Sequence, residues 1–190
     1  AGELQEIFDR YKRIQQKHTD KLEELNEVLK NQSRTDSLTG AFNRGHFNTV
    51  LSIEIARSTR YQSPLGLILF DIDHFKKVND THGHLAGDEV LKTISRLVQS
   101  NIRETDILAR WGGEEFVLLA PGSDLSKAMM FAEKLRKIIA SYSFPINQTI
   151  TCSFGITAYR DGEESEVVLG RADDNLYKAK HSGRNRCVAE

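Results

Sequence analysis

Two closely spaced pairs of acids are the side chains of this sequence best suited to do chemistry together. Asp71 and Asp73 close a short apolar run at 65–70, and Glu114 and Glu115 stand just past the doublet Gly112 and Gly113. If the pairs meet at one edge of a sheet, their charges repel unless a cation lies between them. Hard oxygen ligands beside nucleotide phosphates suit Mg²⁺. Carboxylates placed in that way can hold two ions, one activating a hydroxyl and one stabilising a leaving group. The same acids also read as solvated strand ends, and their spacing alone leaves both readings open.

Whether the pairs meet depends on the elements that carry them. The run 65–70 follows Pro64 and is short enough for a buried strand. The apolar runs 107–111 and 116–120 flank Gly112 and Gly113, which predicts a hairpin, because a tight turn needs positive φ. Ile150, Cys152, Phe154, Ile156 and Ala158 alternate as a half-buried strand does. Helical spacing links Phe47, Val50, Leu51, Ile53 and Ile55, then Leu85, Val90, Leu91, Ile94, Leu97 and Val98, then Ala128, Phe131, Ala132, Leu135, Ile138 and Ile139. A last helix runs from about 164 to 181 and is stopped by Gly183. This order predicts an α/β (α+β) sandwich, ferredoxin-like at its centre, with a mainly antiparallel sheet and helices on one side. In such a sheet the first strand is central and lies beside the hairpin, which brings the acids to one edge.

Residues 3–31 contain no Pro or Gly, and Leu4, Ile7, Tyr11, Ile14, Leu25 and Val28 recur at heptad-like steps, interrupted by His18 and Lys21. This predicts a coiled-coil or signalling helix over 1–34 ahead of a globular domain over 35–190; a solvated linker helix is the alternative. The 26 Lys and Arg nearly balance the 27 Asp and Glu, so no global field attracts nucleic acid or an anionic membrane, and phosphate binding must be local. Cys152 and Cys187 lie outside any metal-ligand spacing and read as structural thiols of a reduced, cytoplasmic compartment. His18, His46, His82, His84 and His181 form no metal pattern. No apolar run approaches the roughly 20 residues of a membrane span. The chain opens within a helical pattern and so reads as part of a longer sensor protein.

The segment Arg110-Trp111-Gly112-Gly113-Glu114-Glu115-Phe116 resembles the GGDEF signature of diguanylate cyclases, in its GGEEF form. Asp36-Ser37-Leu38-Thr39-Gly40-Ala41-Phe42-Asn43-Arg44 resembles the opening motif of that family, apart from Ala41, where a larger apolar residue is common. The stretch FDIDHFKKVNDTHGHLAGDEVL at 70–91 is similar to the family's nucleotide-binding segment, and Tyr177-Lys178-Ala179-Lys180-His181-Ser182-Gly183-Arg184-Asn185 to its closing motif.

The resemblance implies metal ligation by Asp71, the backbone carbonyl of Ile72, Glu114 and Glu115, with two Mg²⁺ per site and Mn²⁺ as a substitute. It also implies that Glu114 helps to deprotonate a ribose 3′-hydroxyl. A 3′-oxygen attacking an α-phosphorus needs such a base, and the departing pyrophosphate needs its charge neutralised. Guanine falls on Asn79 and Asp88: the acid accepts from N1–H and the exocyclic amine, a donor pattern that adenine lacks. Lys180 and Arg184 match the terminal phosphate contacts, with Lys76 and the backbone of His74 and Phe75 nearby. Gly112 and Gly113 let the hairpin backbone approach the nucleotide with no Cβ in the way. Taken singly, Asn79 reads as a helix cap, Asp88 as a surface acid, and Lys180 and Arg184 as a basic helix end.

The implied reaction joins two GTP into cyclic di-GMP and two pyrophosphates across a homodimer, paired through the N-terminal helix. Arg103 and Asp106, the latter six residues before Gly112, resemble the RxxD site at which product cyclic di-GMP binds and inhibits. A surface ion pair is the plainer alternative for them. Two other readings compete with this reaction: a silent receptor for GTP or cyclic di-GMP, and another palm-like nucleotidyl transferase or a cyclase making a mixed dinucleotide.

Overall fold

The computed structural model describes residue 8 and residues 10–22 and 34–190. The chain divides into two compact units, Ala1–Arg34 and Thr35–Glu190. In the first, residues 10–22 form a helix, α1, whose side chains are exposed, Tyr11, Ile14 and Leu22 included. Leu4, Ile7, Leu25 and Val28 of the predicted stripe lie outside the described residues.

The second unit runs β1 (Phe42–Asn43), α2 (Arg44–Tyr61), β2 (Leu65–Ile72), α3 (Phe75–His82), α4 (His84–Gln99), β3 (Ile107–Gly112), β4 (Glu115–Pro121), α5 (Leu125–Ser141), β5 (Cys152–Ala158), α6 (Ser165–His181) and β6 (Cys187–Ala189). One six-stranded sheet has the order β1-β3-β4-β2-β5-β6. β2 is central and antiparallel to both β4 and β5, while the short strands β1 and β6 add to the edges in parallel. The four inner strands have the order of a ferredoxin-like unit, as predicted.

The helices lie on both sides of this sheet, which corrects the expectation of a one-sided cover. Ile68, Phe70 and Ile72 of β2 pack into a core with residues of α3, α4 and α5. Leu65, Leu67 and Leu69 pack the other way, against Phe47 and Leu51 of α2 and Val168, Ala172 and Leu176 of α6. The physical reason is in the strand itself. Every residue of β2 is buried, so neither face can be left to water. Across the first core, Phe70 stacks between Phe116 and Phe154 at centroid distances of 5.4 and 5.0 Å, its register partners on β4 and β5.

On the opposite face, α6 approaches β5 so closely that a Cβ on Gly155 would collide with the backbone carbonyl of Ala172 and the amide of Leu176. Gly155→Ala is therefore expected to cost at least about 2 kcal/mol of stability. Gly170→Ala, at an exposed helical position with nothing within 4 Å, is expected to be neutral or stabilising by up to about 1 kcal/mol. Urea unfolding of the two variants checks the contrast; equal stabilities would show that α6 can shift freely. The thiols of Cys152 and Cys187 are free, and burial is the main reason that both resist ionisation.

Candidate functional site

The hairpin places its acids differently from their neighbours in sequence. Gly112 pairs with Glu115, so the turn is formed by Gly113 and Glu114, with Gly113 at φ 50°. Glu114 therefore lies in the turn, and Glu115 opens β4. A register shift between Arg110 and Gly112 leaves Trp111 in a bulge, stacked under the Arg44 guanidinium at 4.3 Å. Because β4 runs beside β2, Glu115 is the register partner of Asp71. The long-range pairing thus brings an acid from each predicted pair together.

Lys180, near the end of α6, lies against both: its Nζ is 2.9 Å from Asp71 Oδ2 and 4.0 Å from Glu115 Oε1. Asp71 is only 8% exposed, and burial pushes its carboxyl up to about 6 even though Lys180 pulls it down. The nearby charges of Glu114 and Glu115 push it further in the same direction. Among the described residues no three His, Cys, Asp or Glu side chains are already grouped to hold a metal. An ammonium lies against the two carboxylates instead.

Asp73 does not join this cluster, which corrects the expectation that four acids converge. Its Oδ1 accepts from Ser153 Oγ at 2.6 Å, and its Oδ2 accepts from Thr151 Oγ1 at 2.7 Å and from the Asn185 backbone N–H at 3.0 Å.

The turn after β2 opens α3, an element that the apolar spacing did not predict, because only Phe75 and Val78 of its eight residues are buried. His74 takes the N-cap position in a left-handed conformation, φ 58°, with no side-chain cap. The first-turn amides, those of Phe75 and Lys76 among them, have no partner within the helix. At the other end of α3 the Asn79 carbonyl accepts from Gly83, and the Asn79 side-chain oxygen is buried with no hydrogen-bond partner. A Cβ on Gly87 would run into that side chain, so glycine there keeps room for it. Asp88, the next residue, is half-buried. Lys76 and Arg184 are exposed, and Arg184 has φ 61°.

Arg103 and Asp106 border a separate cavity of about 580 Å³, together with Ser123, Lys127, Phe131 and Lys134. They are not an ion pair. Asp106 Oδ2 accepts from the Arg103 backbone N–H at 2.9 Å, while its Oδ1 is buried and unpartnered.

One interaction had no role in the sequence reading, although both residues belong to quoted motifs. The Arg110 guanidinium donates to the Gly113 carbonyl at 2.7 and 2.9 Å and to Asp36 at 3.2 Å. Burial works against the Asp36 charge, but hydrogen bonds from Thr39 and the Arg110 cation outweigh it and keep the carboxyl below its ordinary value. The acid of the opening motif is thereby linked to the turn that carries Glu114. The fixed offset between Arg110 and Gly113 was the available signal.

Fold and site together define a ferredoxin-like α/β domain whose acidic hairpin edge, faced by basic side chains, is suited to a cation and phosphates. Residues 33–186 match the family described as diguanylate cyclase, GGDEF domain. The chain is 42% identical over 189 residues to the diguanylate cyclase DgcP of Pseudomonas aeruginosa, covering 98% of this chain and 28% of that protein. It is 40% identical over 162 residues to the response regulator PleD of Caulobacter vibrioides, covering 82% of this chain and 36% of that protein. It thus spans well under half the length of these relatives. Among solved structures, the diguanylate cyclase SiaD of Pseudomonas aeruginosa, in complex with its activator SiaC, superposes with a TM-score of 0.80 at 38% identity over 96% of this chain and 72% of that one. The coiled coil and GGDEF domain of DgcB from Caulobacter crescentus, in complex with c-di-GMP, gives 0.79 at 29% identity over 96% and 99%. The chain belongs to the GGDEF domain family of diguanylate cyclases.

Proposed function

We propose that this domain condenses two GTP into cyclic di-GMP with release of two pyrophosphates, each domain of a homodimer contributing one nucleotide. The observation that supports it most is the register pairing of Asp71 with Glu115, with Lys180 against both. That donor set fits a hard divalent ion, Mg²⁺ or Mn²⁺, since neighbouring carboxylates at a strand edge need positive charge between them. Asp71, the Ile72 carbonyl, Glu114 and Glu115 would hold it. When bound, it supplies charge neutralisation for the triphosphate.

The chain's own residues do the rest. Lys180 exchanges its carboxylate partners for phosphate oxygens and, with Arg184 and Lys76, fixes the triphosphate against the amides of the His74–Phe75 turn. Asp88 accepts from guanine N1–H and the 2-amino group, and Asn79 binds the remaining edge. Glu114, half-buried in its turn, takes the proton of the 3′-hydroxyl as that oxygen attacks the α-phosphorus of the GTP on the facing domain. The N-terminal helix pairs the chains and sets the approach of the two halves, a matter of orientation with large leverage on rate. Following cyclic di-GMP by mass spectrometry across protein concentration tests this: with GTP and Mg²⁺, the rate should rise faster than linearly at low concentration. A folded dimer that binds GTP and forms no product would leave a receptor role in its place.

Product inhibition belongs to the cavity beside Arg103 and Asp106, where an exposed guanidinium and a carboxylate oxygen with no partner among the described residues match guanine and phosphate. Arg103→Ala is expected to raise the inhibition constant for cyclic di-GMP by about tenfold or more, the value of one lost charged contact. Initial rates measured before product accumulates should stay within about twofold of wild type. An unchanged inhibition constant would remove the assignment.

A further inference from the structure

Asp73 is an acid in the site's own neighbourhood that the proposed chemistry does not use. It is 5% exposed, and among the described residues it has no cationic partner within ion-pair distance. Its charge is held by neutral donors alone: two hydroxyls at the start of β5 and the backbone N–H of Asn185. A buried carboxylate so satisfied is a costly group to keep, and its donors come from segments far apart in the chain.

The third donor has a particular setting. Gly183, Arg184 and Asn185 have φ values of 111°, 61° and 43°, three successive residues in the left-handed region. Two of them carry side chains, for which that region costs free energy and persists only when the surroundings impose it. Here Arg184 N–H donates to Ala179 at 3.1 Å, Arg136 donates to Asn185 Oδ1 at 2.8 Å, and Asp73 receives the Asn185 N–H. Asp73 is also two residues from Asp71, at the tip of the same central strand.

We infer that Asp73 is a positioning residue for phosphate binding: it ties the Gly183–Asn185 turn, which carries Arg184 and follows Lys180, to the strand end that presents Asp71. The inference rests on the cyclase reading and deepens it. Asp71 and Asp73 then divide the work, one facing the cation and phosphates and the other fixing the cationic turn that grips those phosphates from the far side. A loosened turn lowers affinity for the triphosphate in ground state and transition state alike, so the effect falls on KM more than on kcat.

The test measures equilibrium binding of a fluorescent GTP analogue with Mg²⁺, alongside KM, kcat and thermal unfolding. Asp73→Ala is expected to raise both the dissociation constant and KM about tenfold, with kcat within about threefold. Asp73→Asn, whose amide oxygen can still accept from Asn185 while Ser153 turns to accept from its NH₂, should remain within about threefold of wild type. Thr151→Val with Ser153→Ala removes the hydroxyls but not the tie to Asn185, and should lower the unfolding temperature with KM unchanged. If Asp73→Ala does not fold, Asp73→Ser, whose side chain ends one bond short of the oxygen that accepts from Asn185, carries the same expectation. Unchanged binding in the folded variant overturns the inference, as does an equal loss in the hydroxyl pair, which would mark general loosening. A wild type that does not bind the analogue overturns both this and the cyclase reading; a wild type that binds, with Asp73→Ala binding equally well, overturns this alone.

Discussion

Asp71→Asn is expected to slow cyclic di-GMP formation by about 10²–10³-fold, the loss typical of removing one charge from a site that stabilises a transition state electrostatically. The same change should make the domain more stable at neutral pH, by about 2 kcal/mol. The gain in stability follows from one fact: burial, opposed by Lys180 and reinforced by Glu114 and Glu115, raises the Asp71 carboxyl to about 6 from an ordinary 3.8. The folded chain therefore holds this proton more tightly than the unfolded chain. The stabilising contribution is full below the ordinary value, declines as pH climbs towards 6, and above 6 the ionised group works against folding. Asn copies the protonated form and removes that slope. Urea unfolding between pH 4 and 8 should show wild type and variant close together near pH 4, separating as pH rises towards 6, and a constant distance apart above it. For function the sign is reversed: the wild type needs the ionised carboxylate, so cation-dependent GTP binding should weaken as pH falls through about 6. A variant with unaltered turnover would mean that Asp71 is not part of the chemistry. Residues that serve a site at the expense of the fold behave in this opposed manner.

The second large effect concerns the base. Asp88→Ala is expected to lower kcat/KM for GTP by about 10²-fold or more, with little change for ATP, because hydrogen-bonding sites discriminate chiefly by the groups a wrong partner leaves unpaired. The Asn79 side-chain oxygen already shows that condition, buried and without a partner. Its position depends on Gly87, where a Cβ would collide with it, so Gly87→Ala should weaken GTP binding in the same direction through displaced Asn79. Competition between GTP and ATP in one reaction, with products resolved by mass, reads the discrimination directly. Equal losses for both nucleotides would place Asp88 outside base recognition and make it a support for α4.

Much of the domain was legible because its signals are local. The unbroken apolar run of β2, the two runs around Gly112 and Gly113, and the helix that Gly183 stops are each specified by neighbours in the chain. The family was legible too, from the motif around Gly112 and Gly113 and the three motifs that accompany it. What escaped had weak local signals or distant partners. β1 and β6 have two and three residues, and only their pairing with β3 and β5 makes them strands. α3 buries too little to show a period. The two-sided cover was implied by the absence of alternation in β2, yet a run of apolar letters does not say which helices take which face.

The acids show most plainly where that boundary falls. By charge and spacing alone, Asp71 and Asp73 are equivalent, two carboxylates at one strand tip, and the chain determines by itself that they stand there. Only the tertiary structure separates them. Asp71 comes opposite Glu115 through the β2–β4 register, whereas Asp73 is enclosed by Thr151, Ser153 and Asn185, which lie 78, 80 and 112 residues away. Periodicity is written within a few residues, but the donors that surround a buried charge are chosen by strand register and loop closure across the whole domain.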